Sequence, residues 1–290
     1  MIKVQGHRGF SENYPENTML SFQKCYETGA YGIETDIRVT SDEEFVLIHD
    51  DTVNRTTNGT GAVSGLTLAQ IRSLDAGAWK GSQFAGRTDC KVPTLDELLI
   101  AYRYLDVVLL LHLYVDTTAQ IHQVINKVAE LGMIGKVNIF GSMSRINAAK
   151  AYNPAIFTVN SDQPNITYYQ AYLDNAISNN HNAVSIDAND TNANLQTMVA
   201  AIKAAGKLVH ASYLAINYES ILNNLMGLDV DYVLGNNPEI MQNYVNHQEI
   251  TATELYKGSM LLDTIHGRIN TKVFMVTNIG LIEAIAFTAK

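Results

Sequence analysis

Only two cysteines occur in 290 residues, Cys25 and Cys90. They are too few for a disulfide framework and lack metal-type spacing, so both are expected as free thiols, Cys25 on a helix and Cys90 in a loop. No apolar run reaches the ~18 residues that a membrane span needs, and no signal-peptide pattern precedes His7. A soluble chain is expected, cytoplasmic by default, with an extracellular or particle-associated location left open. Positive charge is scarce as well: 20 Lys and Arg stand against 29 Asp and Glu, a net charge of −9 with a pI near 5.3. That balance argues against a nucleic-acid or anionic-membrane partner, although it says nothing about one local cationic pocket. Internal repeats and low-complexity tracts are missing too.

What is present is a globular composition. Apolar residues make up 47% and charged residues 17%, ample for a buried core and unlike a disordered chain. Short β-rich runs alternate with helical stretches from residue 2 to about 240. The runs are 2–6, 31–37, 107–115, 136–141, 155–160, 183–188, 208–214 and 231–235. Between them lie segments such as "NTMLSFQKCYETG" and "TAQIHQVINKVAELG", several closed by Gly, a usual helix stop. Eight buried strands joined by helices predict a (β/α)8 TIM barrel over residues 1–245.

One further strand, "FVLIHD" (45–50), breaks the alternation. The linker "RVTSDEE" is too short for a helical crossover, so a hairpin turning near Asp42 is predicted, with His49 roughly across from Asp36. Residues 51–92 read as a loop-rich insertion with one helix near "LTLAQIRSL" and the only tryptophan, Trp79. Residues 246–290 read as a small β-rich appendage, for which homo-oligomerisation and substrate binding are both open.

In such barrels working residues gather at the carboxyl ends of the strands. That rule brings together His7 and Arg8 from the first strand, Glu34 and Asp36 from the second, and His49 from the hairpin return. Glu34 and Asp36, spaced i, i+2, face the same side of their strand. Two carboxylates aimed together repel unless a cation or a shared proton intervenes, and a hard divalent cation with oxygen ligands suits them. Two histidines can act as general base and general acid near neutrality, and a guanidinium fits a phosphate oxygen. Together these parts describe phosphodiester cleavage. The plain alternative, a set of polar strand ends, would not require five such residues to converge.

The segments "HRG" (7–9), "PENT" (15–18), "GIETDIRVTSD" (32–42), "VLIHDDTVNRTTNG" (46–59) and "VPTLDELL" (92–99) together resemble the glycerophosphodiester phosphodiesterase family. The likeness is dense to about residue 105 and thin afterwards. It implies a barrel hydrolase that cleaves glycerophosphodiesters to an alcohol and glycerol phosphate with a divalent metal (Mg, Ca, Mn or Zn). By the same resemblance His7 and His49 match the acid–base pair, Glu34 and Asp36 metal ligands, Arg8 the phosphate contact, and Glu16 and Asn17 supporting residues.

The chain departs from the family's pattern at three places. Where the family's third strand ends in Glu-x-Lys, "LLLHLYV" puts His112 and Tyr114. Imidazole can serve as a ligand and moves metal preference from Mg²⁺ or Ca²⁺ toward Mn²⁺ or Zn²⁺, while Tyr114 takes a supporting place with one hydrogen bond and no charge. "HASYL" stands in place of a Trp-Thr pair, and "LGNNPE" in place of Thr-Asp before Pro. Two classes are therefore open: a metal-dependent phosphodiesterase acting on small glycerophosphodiesters or a polyglycerol-phosphate polymer, and a catalytically weakened or inactive barrel that binds glycerol phosphate or cell-wall polymer. His122, His181, His247 and His266 are expected at the surface, and His210 is left unassigned.

Overall fold

Why these residues form a closed ring is visible strand by strand. The computed structural model describes residues 2–115, 117–214, 218–252, 272–277 and 280–285, with side chains over 2–115, 117–212 and 218–246. The first half of the chain runs β1 (Lys3–Gly6), α1 (Met19–Glu27), β2 (Gly32–Val39), β3 (Phe45–Leu47), α2 (Leu68–Ser73), α3 (Leu95–Tyr102), β4 (Val108–Leu113) and α4 (Thr118–Glu130). It continues through β5 (Val137–Gly141), α5 (Met143–Tyr152), β6 (Phe157–Asn160), α6 (Tyr169–Ser178), β7 (Ala183–Asp187) and α7 (Asn192–Ala204). Last come β8 (Leu208–Leu214), α8 (Tyr218–Met226), β9 (Tyr232–Gly235) and α9 (Pro238–Ala252).

Eight of these strands pair in parallel in the order β1-β9-β8-β7-β6-β5-β4-β2, and β1 also pairs with β2. The sheet thus closes on itself as a (β/α)8 barrel, the arrangement that covers both faces of each strand. Leu110, Phe140, Val159, Ala183 and Leu234 fill its interior, packed by Phe157 and Leu208. Side chains therefore plug the cylinder, and ligands are confined to its mouth.

The departure from strict alternation is β3. β2 outruns β1: its first residues pair with β1, and Ile37–Val39 pair antiparallel with β3 through Ile37↔Leu47, Arg38↔Val46 and Val39↔Phe45. That register sets Ile48 opposite Asp36, so His49 sits one residue past the position the sequence suggested. The strand ends at Leu47, short of Asp50, because Leu47 N–H donates to the Pro93 carbonyl and the chain turns into the insertion.

The insertion holds α2 and three 3₁₀ turns rather than one helix alone. Val46, Ile48, Val53, Val63, Ile71, Ala76 and Val92 give it a small core on the hairpin, each Val and Ile contributing about 1.5–3 kcal/mol when fully buried. Phe84 and Cys90 tie it to Leu20 of α1. The "VPTLDELL" stretch proves to be scaffold. Thr94 caps α3 in a reciprocal box with Glu97, satisfying two otherwise unpaired backbone donors.

The chain divides into two compact units, Met1–Gln242 and Asn243–Lys290. Much of the appendage expected over 246–290 lies outside the described residues. Within it α9 extends to Ala252, and β10 (Lys272–Thr277) and β11 (Gly280–Ile285) form an antiparallel hairpin. Among the described residues no helix is long and apolar enough to cross a membrane.

Candidate active site

His7 follows directly on β1, and its backbone N–H continues the strand by donating to the Gly235 carbonyl of β9. The chain then turns sharply. Arg8 and Gly9 both adopt positive φ, 55° and 81°, and a Cβ on Gly9 would come within 2.7 Å of the Ser21 backbone in α1. Glycine is thus required for this close approach. The turn aims the Arg8 backbone N–H at Glu34 Oε2, 2.9 Å away, and its guanidinium at Glu16 (2.9 Å) and Asp36 (3.3 Å). His7 Nδ1 lies 2.7 Å from Asn236 Oδ1, an acceptor, which leaves Nε2 directed toward Glu34 Oε2 at 4.0 Å. Burial pushes the His7 imidazole below its ordinary pKa, against the opposing pull of Glu34.

The "PENT" loop works as a wedge. Thr18 caps α1 by accepting from Ser21 N–H, and Asn17, at φ 53°, inserts its side chain against β2. Asn17 Nδ2 donates to Asp36 Oδ2 at 2.7 Å, while its Oδ1 accepts from Thr35 Oγ1 at 2.7 Å and from the Asp36 backbone N–H at 3.3 Å.

Glu34 and Asp36 are fully buried, and their four oxygens divide into two kinds. Glu34 Oε2 and Asp36 Oδ2 are held by Arg8 and Asn17. Among the described residues, Glu34 Oε1 and Asp36 Oδ1 accept no well-aligned hydrogen bond. Both face His112 Nδ1, at 3.6 and 3.3 Å. Glu34, Asp36 and His112 each offer one ligand atom, all within 4.8 Å of one another. Buried carboxylate oxygens that accept no hydrogen bond call for a cation; His112 supplies one when protonated, and this donor set of two oxygens and one imidazole fits a divalent cation in its place. Burial alone would raise the Asp36 carboxyl, yet His112 and the charges of Arg8 and His49 hold it well below the usual carboxylate range. Burial likewise disfavours a charged His112, and the two carboxylates outweigh it and raise its pKa.

His49 arrives from the hairpin at the rim, with its side chain 32% exposed. Nδ1 lies 2.8 Å from Asp50 Oδ1, and Nε2 lies 3.4 Å from Tyr114 Oη. The Tyr114 ring packs on His112 with centroids 4.2 Å apart. Arg38, two residues beyond Asp36 on β2, donates to the His49 carbonyl at 2.7 Å and lays its guanidinium 4.7 Å over the Tyr114 ring. Tyr114 therefore links the His49 side of the mouth to His112.

All nine residues singled out in the sequence thus fall in one connected cluster. Four neighbours escaped that reading, among them Asp50 against His49. Asn236 could have been found by applying the strand-end rule to β9; Arg38 and Arg55 lay inside quoted motifs but show their partners only once folded. Two histidine expectations are corrected or completed. His181 is buried, not at the surface, because the turn after α6, closed by its backbone N–H on the Ala176 carbonyl, folds it inward, and its ring reaches Thr158 Oγ1 (2.9 Å) and Asn147 Oδ1 (2.6 Å). His210 points into the barrel, within 2.7 Å of Gln5 Oε1 and 2.8 Å of Ser212 Oγ. His122 is half-buried and stacks on Tyr152 at 3.7 Å, whereas His247 and His266 lie outside the described side chains.

Comparison with known proteins points the same way as the geometry. A sequence profile of the glycerophosphoryl diester phosphodiesterase family matches residues 7–240. A glycerophosphodiester phosphodiesterase of Caldanaerobacter subterraneus is 50% identical over 95 residues, which span 33% of this chain and 38% of that protein. Human glycerophosphodiester phosphodiesterase 1 is 45% identical over 96 residues, 33% of this chain and 29% of the human one. The chain thus matches well under half the length of these relatives. Similarity in structure reaches further. A glycerophosphodiester phosphodiesterase from Agrobacterium tumefaciens superposes with a TM-score of 0.72 at 26% identity, covering 83% of this chain and 99% of that one. An Oleispira antarctica phosphodiesterase, solved with its product sn-glycerol-3-phosphate, gives 0.72 at 26% identity over 84% and 96%. The chain belongs to the glycerophosphoryl diester phosphodiesterase family.

Proposed function

We propose that this chain hydrolyses glycerophosphodiesters to an alcohol and glycerol phosphate in a metal-dependent reaction. One observation carries the reading: two buried carboxylate oxygens that accept no well-aligned hydrogen bond among the described residues converge with an imidazole beside a histidine and an arginine. Family membership supports it, as does the glycerol phosphate product named for the Oleispira relative.

Glu34, Asp36 and His112 would hold the divalent cation, and when bound it would neutralise charge on a phosphoryl oxygen. Arg8, whose backbone and guanidinium are fixed by Glu34, Glu16 and Asp36, would clamp the phosphate. His7, kept neutral by burial, accepts a proton, with Asn236 holding its Nδ1 so that Nε2 faces the reacting centre. His49 stands at the rim, where its Nε2, when it carries a second proton beside the one Asp50 holds on Nδ1, would protonate the departing alcohol. Glu16, Asn17 and Tyr114 support these groups. The lysine that the family carries on the third strand is replaced by Tyr114, and Arg38, stacked on that ring, restores positive charge at the mouth.

The test is release of glycerol phosphate from glycerophosphocholine, glycerophosphoglycerol and a polyglycerol-phosphate polymer, with Mn²⁺, Mg²⁺, Ca²⁺ or Zn²⁺ added. Turnover that chelation abolishes is expected. Glycerol phosphate binding without turnover under all four metals would instead establish the non-catalytic barrel, a reading that the His112 and Tyr114 replacements favour.

A further inference from the structure

Two site residues from separate elements, Arg8 after β1 and His49 after β3, are joined by a continuous line of charged contacts through the insertion. Arg8 Nη1 donates to Glu16 Oε1 at 2.9 Å. The same oxygen accepts from Arg55 Nη2 at 2.7 Å. That nitrogen also donates to Asp50 Oδ1 at 2.9 Å, and Asp50 Oδ1 in turn accepts from His49 Nδ1 at 2.8 Å. Arg55 closes both forks with its remaining nitrogens, Nη1 to Glu16 Oε2 at 2.9 Å and Nε to Asp50 Oδ2 at 2.7 Å. The Trp79 ring lies 5.9 Å from the guanidinium carbon.

We propose that Arg55 is a positioning residue that sets the phosphate clamp Arg8 and the acid–base residue His49 together, through Glu16 and Asp50. This inference rests on the proposed phosphodiesterase reading for its kinetic consequences and on geometry alone for its structural ones. Only a guanidinium can do this job, because its planar fork presents enough donors to grip two carboxylates at once; an ammonium is a point charge with no such plane. Asp50, a carboxylate, can only accept, so its contact fixes the proton on His49 Nδ1 and leaves Nε2 toward the mouth. Glu16 is shared between two guanidiniums. Without Arg55 both its oxygens would turn to Arg8 and draw that side chain away from the phosphate. Asp50 would lose its second partner, and the His49 ring would lose its fixed orientation. The insertion thereby acquires a function: it delivers one arginine to a point that neither strand can reach.

The test compares wild type with Arg55→Gln, Arg55→Lys, Asp50→Asn and the double variant Arg55→Gln/Asp50→Asn. Nitrogen-15 NMR of ring-labelled histidine, at a pH where the ring is neutral, is expected to show His49 held as the Nδ1–H tautomer in wild type and mixed in Arg55→Gln. With glycerophosphocholine, Arg55→Gln is expected to raise KM and lower kcat, each by about tenfold. Arg55→Lys is expected to recover less than half of either loss on a logarithmic scale. The double variant is expected to lose no more kcat than Arg55→Gln alone, as for residues acting in one chain. A folded Arg55→Gln protein with an unchanged His49 tautomer overturns the proposal, and so do additive losses in the double variant. If Arg55→Gln does not fold, Arg55→Lys decides through the same tautomer signal. Should no substrate be turned over, the NMR result still stands for or against Arg55, so that failure of the activity reading is told apart from failure of this one.

Discussion

His112 decides which cation the site prefers. Among the described residues, its Nδ1 faces two buried carboxylate oxygens that accept no well-aligned hydrogen bond. Replacing it with alanine is expected to weaken Mn²⁺ and Zn²⁺ binding by at least about tenfold in calorimetry, since the two oxygens alone make an incomplete set. His112→Glu supplies a third carboxylate and should move preference toward Mg²⁺ and Ca²⁺. Equal affinity for all four ions in wild type and both variants would remove His112 from the ligand set. The two other histidines answer to kinetics. His7→Ala and His49→Ala are each expected to lower kcat about 10²–10⁴-fold while the folded protein still binds the metal; retained turnover in either variant would strip that residue of its proton-transfer role. Residue by residue, the site was legible where chemistry announces itself in the side chain: paired carboxylates, histidines at strand ends, an arginine beside one of them. It was not legible where a residue matters through what it touches. Asn236 and Arg55 look like ordinary polar loop residues until His7 and Glu16 stand beside them.

At the scale of elements, the turn between β1 and α1 carries two separable contributions. Asn17 combines a positive φ with three side-chain hydrogen bonds to β2. Asn17→Gly keeps the backbone comfortable but forfeits the bonds, and should cost about 2–3 kcal/mol in urea unfolding, because partners on β2 are left buried and unpaired. Asn17→Ala should cost about 1 kcal/mol more, the added strain of a Cβ in the left-handed region. A smaller loss for alanine than for glycine would show the backbone relaxing out of that conformation. β8 carries a pH effect. Burial pushes His210 down to about 3, below its unfolded value of about 6.5. Between those values the unfolded chain binds the extra proton, so stability present above pH 6.5 is lost as pH falls. At pH 5 the loss from this group is about 2 kcal/mol, and His210→Gln should lack it when unfolding at pH 7 and pH 5 is compared. Equal pH dependence in the two proteins would mean that His210 takes up its proton alike in the folded and unfolded chains, so that burial does not lower it. Elements themselves were easy to see in the sequence, since eight strands were separated by helices with clear caps. Their limits were not: β3 stops at Leu47 and the insertion coils into 3₁₀ turns, outcomes set by contacts with Pro93 and the hairpin core.

On the scale of the whole molecule, every residue of the candidate site belongs to the unit Met1–Gln242. A chain ending at residue 252, which preserves α9, is therefore expected to melt within a few degrees of the full protein and to bind metal with unchanged affinity. Loss of metal binding on truncation would place part of the site in residues 253–290. Ring closure could be read from eight alternating strands, but its cost could not. The family motifs are dense in the first third of the chain, while the partners that set His7 come from β9: the Gly235 carbonyl and Asn236. A nascent chain that has left the ribosome only as far as β4 can bring Arg8, Asn17, Glu34, Asp36 and His112 together, but it cannot set His7, whose partners on and after β9 lie more than two hundred residues away and must await the last barrel strand. Folding dominated by such distant contacts is slow, and until it finishes two open edges and an unset histidine are exposed to other chains and to proteases. Competence should thus switch on late during synthesis, as the last barrel strand docks beside the first.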